Sequence, residues 1–453
     1  MLKISKLLMG VLIVVLMVVG CGKSELAAQP SVEAEKETGE VTTEVEDGKK
    51  VKITYWHHDG AGKTNPIYEE LINQFMLENP NIEVEYLGLP ADSFFQKYLT
   101  AVATNSGPDV FGMRIGELSA MVAQNALEPL DDYVPEWSGY TNIEPALIDT
   151  IRQTISDQKL YMLPQYFNHD ISWYNVNLFE EKGIEPPDTI SEFLEMSEKY
   201  ADPLNNKYFY TIRGTKGYRN TLTWLVNYTG IIGEDNSLYN EDGTSIFRDP
   251  AFAKALDAYA SIYKNNWCSQ DSITANYKEM VAEFGTGTSM YIQHDSSSVV
   301  EHSKNLGDGN FMNALPVAND ETGVRFVLAL DPIGAAVSSK SENKEAAFKL
   351  VSYMSSKEGI SFLAENIGKL PANKEVYEEE WFKNDPYMTM YPELLSDPSV
   401  EYYNTPIYLE GWKKFQSMVS DDFQAILMGK ATSEDTLKTW ADTLEQWYAE
   451  YNK

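Results

Sequence analysis

Val51-Lys52-Ile53-Thr54-Tyr55-Trp56 alternates in polarity and is rich in β-branched and aromatic residues, the pattern of a half-buried strand. The next seventy residues decide the fold. His57-His58-Asp59-Gly60-Ala61-Gly62 reads as a loop, and Pro66 suits a helix start. Leu71, Phe75 and Met76 then fall on one helical face that ends before Asn79-Pro80. Ile82-Glu83-Val84-Glu85-Tyr86 is a second alternating strand, and residues 94–104 form a second helix. Pro108-Asp109-Val110-Phe111 is a short buried strand, with a helix from Leu118 towards Gln124. Strands alternating with helices imply crossover units, an α/β fold and a largely parallel sheet.

The same logic continues towards the C-terminus. Strands are expected at 159–164, where Pro164 acts as a stop, and at 171–175, 289–293 and 324–329. Helices are expected from a capped start at Thr189-Ile190-Ser191-Glu192, over 251–263 and 344–354, and from Trp412 to the end. No tandem repeat is present.

Towards the N-terminus the chain changes character. Lys3 and Lys6 precede an apolar run from Leu7 to Val19 that stops at Gly20-Cys21. A basic start, a short apolar centre and a small residue before the cut mark a secretory signal peptide, and the run is shorter than the roughly 20 residues a membrane span needs. Val18-Val19-Gly20-Cys21 resembles the lipobox of bacterial lipoproteins, with Val18 where leucine is usual. That resemblance implies a signal peptide over 1–20 and a lipid on the Cys21 sulfur. Residues 22–50 are rich in Glu, Thr, Ser and Ala and poor in large apolar residues, so 21–50 reads as a lipidated cysteine and a flexible acidic stalk.

Hydrophobic residues make up 43% of the 453, enough for sizeable cores in two or more domains. The formal charge is -32, and removal of the leader with its two lysines takes it to -34. Such a chain repels nucleic acid and anionic lipid head groups. With Cys21 committed to the anchor, Cys268 has no partner and is expected as a small buried hydrophobe. That leaves no disulfide and no cysteine-based zinc site to expect.

Taken in order, these segments resemble the family 1 extracellular solute-binding proteins, the receptor subunits of ATP-binding-cassette importers for sugars. The resemblance runs through Val51–Trp56, Asn79-Pro80-Asn81-Ile82-Glu83-Val84, Gly107-Pro108-Asp109-Val110-Phe111 and Leu127-Glu128-Pro129-Leu130-Asp131-Asp132-Tyr133. It continues through Lys159-Leu160-Tyr161 to Pro164, Trp173-Tyr174-Asn175 and Pro186-Pro187-Asp188-Thr189. Phe284-Gly285-Thr286-Gly287-Thr288-Ser289-Met290, Ser338 with Lys340, and Gly368-Lys369-Leu370-Pro371-Ala372 complete it. It implies a two-lobed, periplasmic-binding-protein-like fold with a hinge and an interlobe ligand cleft. Lobe 1 is expected at 51–160 plus 318–368 and lobe 2 at 161–317 plus 369–453. It further implies a monomeric, lipid-anchored receptor on the outer face of the membrane. The receptor would bind a carbohydrate, expected to be an oligosaccharide or small glycoside, need no cofactor, catalyse nothing and dock on membrane permease subunits.

Ligands of such folds sit at the carboxyl ends of strands. That rule selects Trp56, His57, His58 and Asp59 after the first strand, and Asp109, Arg114 and Glu117 around the third. It selects Tyr166, Asn168, His169 and Asp170 at the crossing, then Tyr218 and Trp224, His294, Asp295 and Ser296, Asp331, and Trp412. Aromatic rings stack on the apolar face of a sugar, while carboxylates and guanidinium groups bond its hydroxyls in pairs. Three histidines stand directly before an aspartate, at His58-Asp59, His169-Asp170 and His294-Asp295. They suit hydroxyl recognition or packing, or alternatively a zinc, iron or manganese site; either use in the cleft makes binding weaken at acid pH. A secreted carbohydrate-active enzyme is the other alternative, since paired carboxylates across a cleft hydrolyse glycosides.

Overall fold

The computed structural model describes residues 50–58, 64–90, 93–409 and 411–452. The leader, Cys21, nearly all of the expected stalk and Asp59 lie outside the described residues.

The expected first strand is β1 (Val51–His57), and the second is β2 (Ile82–Gly88). The remaining strands are β3 (Val110–Arg114), β4 (Leu163–Asn168), β5 (Asp170–Asn175), β6 (Tyr208–Tyr210), β7 (Ser289–Asp295), β8 (Phe311–Ala314), β9 (Arg325–Leu328), β10 (Asp331–Val337), β11 (Leu370–Pro371) and β12 (Val400–Tyr403). They form a six-stranded sheet in the order β11-β4-β10-β3-β1-β2, a four-stranded sheet β6-β7-β5-β8 and a pair β12-β9.

β1 pairs in parallel with β2 and β3, as the crossover helices require. The rest of the large sheet is antiparallel, because β10 enters from the opposite end between β3 and β4. The expectation of a largely parallel sheet therefore holds only for the first three strands. Pro164 does not stop a strand but sits in β4, four residues beyond the expected start. There the β10 register jumps from Ile333 opposite Tyr166 to Gly334 opposite Pro164. A bulge is where a sheet tolerates proline. Gly334 is needed at that point, since a Cβ would lie 1.9 Å from the Leu163 carbonyl oxygen.

Three apolar clusters organise the described residues. One packs β1, β3 and β10 against flanking helices through Ile53, Phe75, Phe111, Leu118, Val337 and Leu350. A second is mainly helical, with Tyr210, Trp224, Tyr259, Phe423, Trp440 and Leu444, and contains the buried Cys268. A third joins the large sheet to the four-stranded one through Phe167, Trp173, Phe311, Leu370, Tyr387 and Tyr391. The C-terminal helical run is two helices, Trp412–Leu427 and Ser433–Tyr451, broken at Gly429, whose φ is +69°.

Sheet membership differs from the expected boundaries in particular places. β4 belongs to the large sheet, so the chain leaves that sheet at His169. β9 pairs with β12 and packs Phe326 and Leu328 into the helical cluster, so 325–328 stands apart from the large sheet. β11 pairs with β4, so Leu370-Pro371 stays with it. Two crossing strands thus lie side by side, with Asn168 and Asp331 as register partners.

Candidate functional site

The clusters flank a cleft of about 970 Å³. One wall is Ile115 and Gly116, directly after β3, with Thr150, Gln153, Thr154 and Gln158 at the end of the Pro145–Gln153 helix. The other wall carries Tyr218 and Arg219, which open the Tyr218–Thr229 helix, and the loop around Glu234 to Asn240. Asn404, Thr405, Tyr408, Gln416 and Tyr448 complete that wall. The floor is the crossing segment Leu328 to Asp331.

The floor is charged. Arg219 Nε donates to Asp170 Oδ2 at 2.7 Å. Burial opposes the guanidinium charge, but Asp170, Tyr218 and Asp331 outweigh it and hold the Arg219 pKa well above its ordinary value. Asn168 donates to Asp331 Oδ2 at 3.5 Å; burial raises the Asp331 pKa although Arg219 and Asn168 pull the other way. Gln416 donates to the Tyr218 hydroxyl at 3.0 Å. Above the floor the wall is amides, tyrosines and carboxylates. Tyr239 and Tyr448 stack with centroids 4.5 Å apart, and the Tyr239 hydroxyl donates to the Leu444 carbonyl. The loop turns through Asp235 and Asn236 in left-handed geometry, which short polar side chains accept. This wall offers many paired donors and acceptors for a polar neutral solute.

Residues 61–360 match the family model for a bacterial extracellular solute-binding protein. The chain belongs to that family. Among its relatives is a binding protein of Brucella abortus, 25% identical over 398 residues, covering 86% of this chain and 92% of the relative. A maltotriose-binding protein of Pyrococcus abyssi is 22% identical over 367 residues, covering 76% and 71%. A solute-binding protein of Thermotoga lettingae, solved with α-D-tagatose, superposes with a TM-score of 0.71 at 22% identity and covers 88% of this chain and all of that one. It shares the two-lobed fold.

In this solute-binding protein the expected site residues part company. Tyr218 and Asp331 line the cleft, Asp170 meets it through Arg219, and Arg114 immediately precedes Ile115 with its guanidinium 5.3 Å from the Phe94 ring. Others do not face it. Asp109 lies at the opposite end of β3, where it accepts from the Thr54 amide and hydroxyl and from Ser341. Trp224 is a core ring, 4% exposed, stacked on Tyr259 and bonded to the Ala255 carbonyl. Trp412 is buried behind Tyr218, stacked on Phe415. Trp56 packs against Tyr98 under Lys97, and Tyr166 is buried within β4.

The histidines are mostly interior. His58 is buried between His57 and Phe94, and burial holds both rings neutral, His57 with a pKa of about 3. His169 bonds the Asp170 carbonyl and the Tyr402 hydroxyl, and burial lowers it to about 4. His294 stacks on Tyr277, while Asp295 caps the turn at Ser297. No group of three or more metal-ligating side chains occurs among the described residues.

Strand ends and composition did not point to Gln153, Gln158, the 234–240 loop, Asn404, Tyr408 or Tyr448. The run Gly233-Glu234-Asp235-Asn236-Ser237 carries a turn signal. Nothing local marks Tyr448, which is one of several aromatics on a long amphipathic helix.

Proposed function

We propose that this protein is an extracytoplasmic carbohydrate receptor that hands its ligand to the permease subunits of an ATP-binding-cassette importer. The observation that carries this reading is the cleft wall: amides, tyrosines and a few carboxylates that outweigh the apolar lining from Ile115, Leu328, Leu330 and Ile407, over a floor that ends in Asp331. A volume of about 970 Å³ stands at the upper end of small-molecule sites, about 300–1,000 Å³, which favours an oligosaccharide over a single ring. The maltotriose-binding relative points the same way, and the tagatose-bound neighbour supports a carbohydrate as the ligand class. Binding between lobes joined by crossing strands acts by closing a hinge, a population shift with no turnover. Lobe 1 is best drawn on the large sheet and lobe 2 on the helical cluster. A lipid on Cys21 would hold the monomer at the membrane; among the described residues no helix is long and apolar enough to cross one.

Thermal unfolding against mono- and oligosaccharides, with zinc, iron and manganese alongside, tests the reading. A ligand specific to the native state adds about 2.7 kcal/mol at 100 times its Kd. A shift with one sugar class supports the receptor. A shift with metals alone, or sustained release of product from glycosides, overturns it. Conversion of Cys21 to serine should move the protein from the membrane fraction into the medium.

A further inference from the structure

Glu117 sits in the first turn of the Ile115–Ala123 helix, whose Ile115, Leu118 and Met121 pack into the large-sheet cluster. It is only 5% exposed. Its own lobe gives it no hydrogen-bond donor among the described residues. Oε2 is buried without a partner, and Oε1 accepts from Lys413 Nζ at 2.7 Å. Lys413 stands on the Trp412–Leu427 helix, which packs Trp412 and Phe415 into the helical cluster across the cleft. The same ammonium lies 5.6 Å from the ring of Phe95, back on the Glu117 side. Ile407, at the same rim, packs against both clusters.

A buried carboxylate whose one hydrogen-bonded cation among the described residues stands on the opposite lobe makes separation of the lobes unfavourable, because opening removes that partner. We propose that Glu117 and Lys413 form an interlobe clasp that biases the hinge towards closure before ligand arrives. Apparent affinity scales with the fraction of protein in the binding-competent state, so both are positioning residues for binding although neither need touch the ligand. The Lys413 side chain is 61% exposed, so salt can screen the clasp. The inference rests on the two lobes and their cleft and not on which solute enters it.

The test uses no ligand. Lys159 and Glu241 are exposed and adjoin Gln158 and Asn240 on opposite walls. In a Cys21→Ser background, Lys159→Cys and Glu241→Cys place fluorophores across the cleft, and the buried Cys268, its thiol pushed up to about 12 by burial, stays unlabelled. Energy transfer in the full chain should report a closed population that shrinks as salt rises. Lys413→Met and Glu117→Gln should each lower the closed-to-open ratio about 5- to 10-fold, equivalent to about 1–1.4 kcal/mol, and abolish the salt response. The double variant should match either single one. Salt-independent distances in the unsubstituted protein, or single-variant effects that add in the double variant, would overturn the clasp. The salt titration needs no substitution at either residue, so a folding defect cannot mask the result.

Discussion

His302→Leu offers a test of burial against titration at one residue. His302 is 0% exposed, enclosed by Trp173, Phe284 and Phe311 at ring distances of 5.6, 4.7 and 5.3 Å, and neither ring nitrogen has a hydrogen-bond partner. Burial, with a smaller contribution from His294, lowers its pKa from 6.5 to about 3. The folded value lies below the unfolded one, so between about pH 6.5 and 3 the unfolded chain binds the extra proton. Stability therefore falls as pH drops through that window. At pH 7 the linkage is close to zero, and at pH 5 it reaches about 2 kcal/mol, taking 1.36 kcal/mol per pKa unit. Leucine has no proton to bind and leaves no buried N–H unsatisfied, a penalty of about 1–3 kcal/mol in the native ring. Urea unfolding at pH 7 should find His302→Leu at least as stable as the unsubstituted chain. At pH 5 its relative advantage should be larger by about 2 kcal/mol. A difference between the two proteins that is unchanged from pH 7 to pH 5 would refute the reasoning, and so would a leucine variant that is strongly destabilised at pH 7.

Other substitutions separate scaffold from site. Asp109→Ala strands donors from Thr54 and Ser341, so it should lower stability by about 1–3 kcal/mol in urea unfolding while sugar affinity in the folded protein is unchanged. Trp224→Ala should cost about 3–5 kcal/mol by opening a cavity in the helical cluster, read from the unfolding midpoint; a variant of native stability with weakened binding would return this ring to the cleft. Gln153→Ala and Asn404→Ala lie on opposite walls. Each should weaken binding of the sugar that gives the largest thermal shift by about 10-fold, as loss of a net hydrogen bond of about 1.4 kcal/mol implies, with the ligand-free midpoint unmoved. Calorimetric titration would check both.

The local pattern of residues 51–124 reached far into the fold. Alternation at Val51–Trp56 and Ile82–Tyr86 and the helical face at Leu71, Phe75 and Met76 specify a β-α-β unit, because polarity periods of two and 3.6 leave few other ways to bury one face. The pairing of β1 with β2 and β3 comes from that unit. Strand ends likewise picked out Tyr218 and Asp331, which line the cleft, and Asp170, which bonds Arg219 there.

Chain-distant packing decided the rest. β10 is a short apolar strand whose antiparallel place between β3 and β4 depends on where the chain returns from β9, about 160 residues after β4. Trp224 and Tyr218 share a helix, yet one stacks on Tyr259 in the core and the other faces the cleft. The difference is set by the rotation of that helix against the Ala251–Lys264 helix, which no local window contains. The histidine–aspartate pairs show the same limit. Extended backbone turns adjacent side chains to opposite faces, but only the assembled lobes send His169 to Tyr402 and Asp170 to Arg219. The α/β alternation was legible in the chain alone, since periodicity is a local property, and the two lobes were implied by the family resemblance. Which polar groups line the cleft, and which carboxylate is left to a lysine across it, were set by the folded arrangement, since burial of a side chain depends on the neighbours that long-range contacts supply.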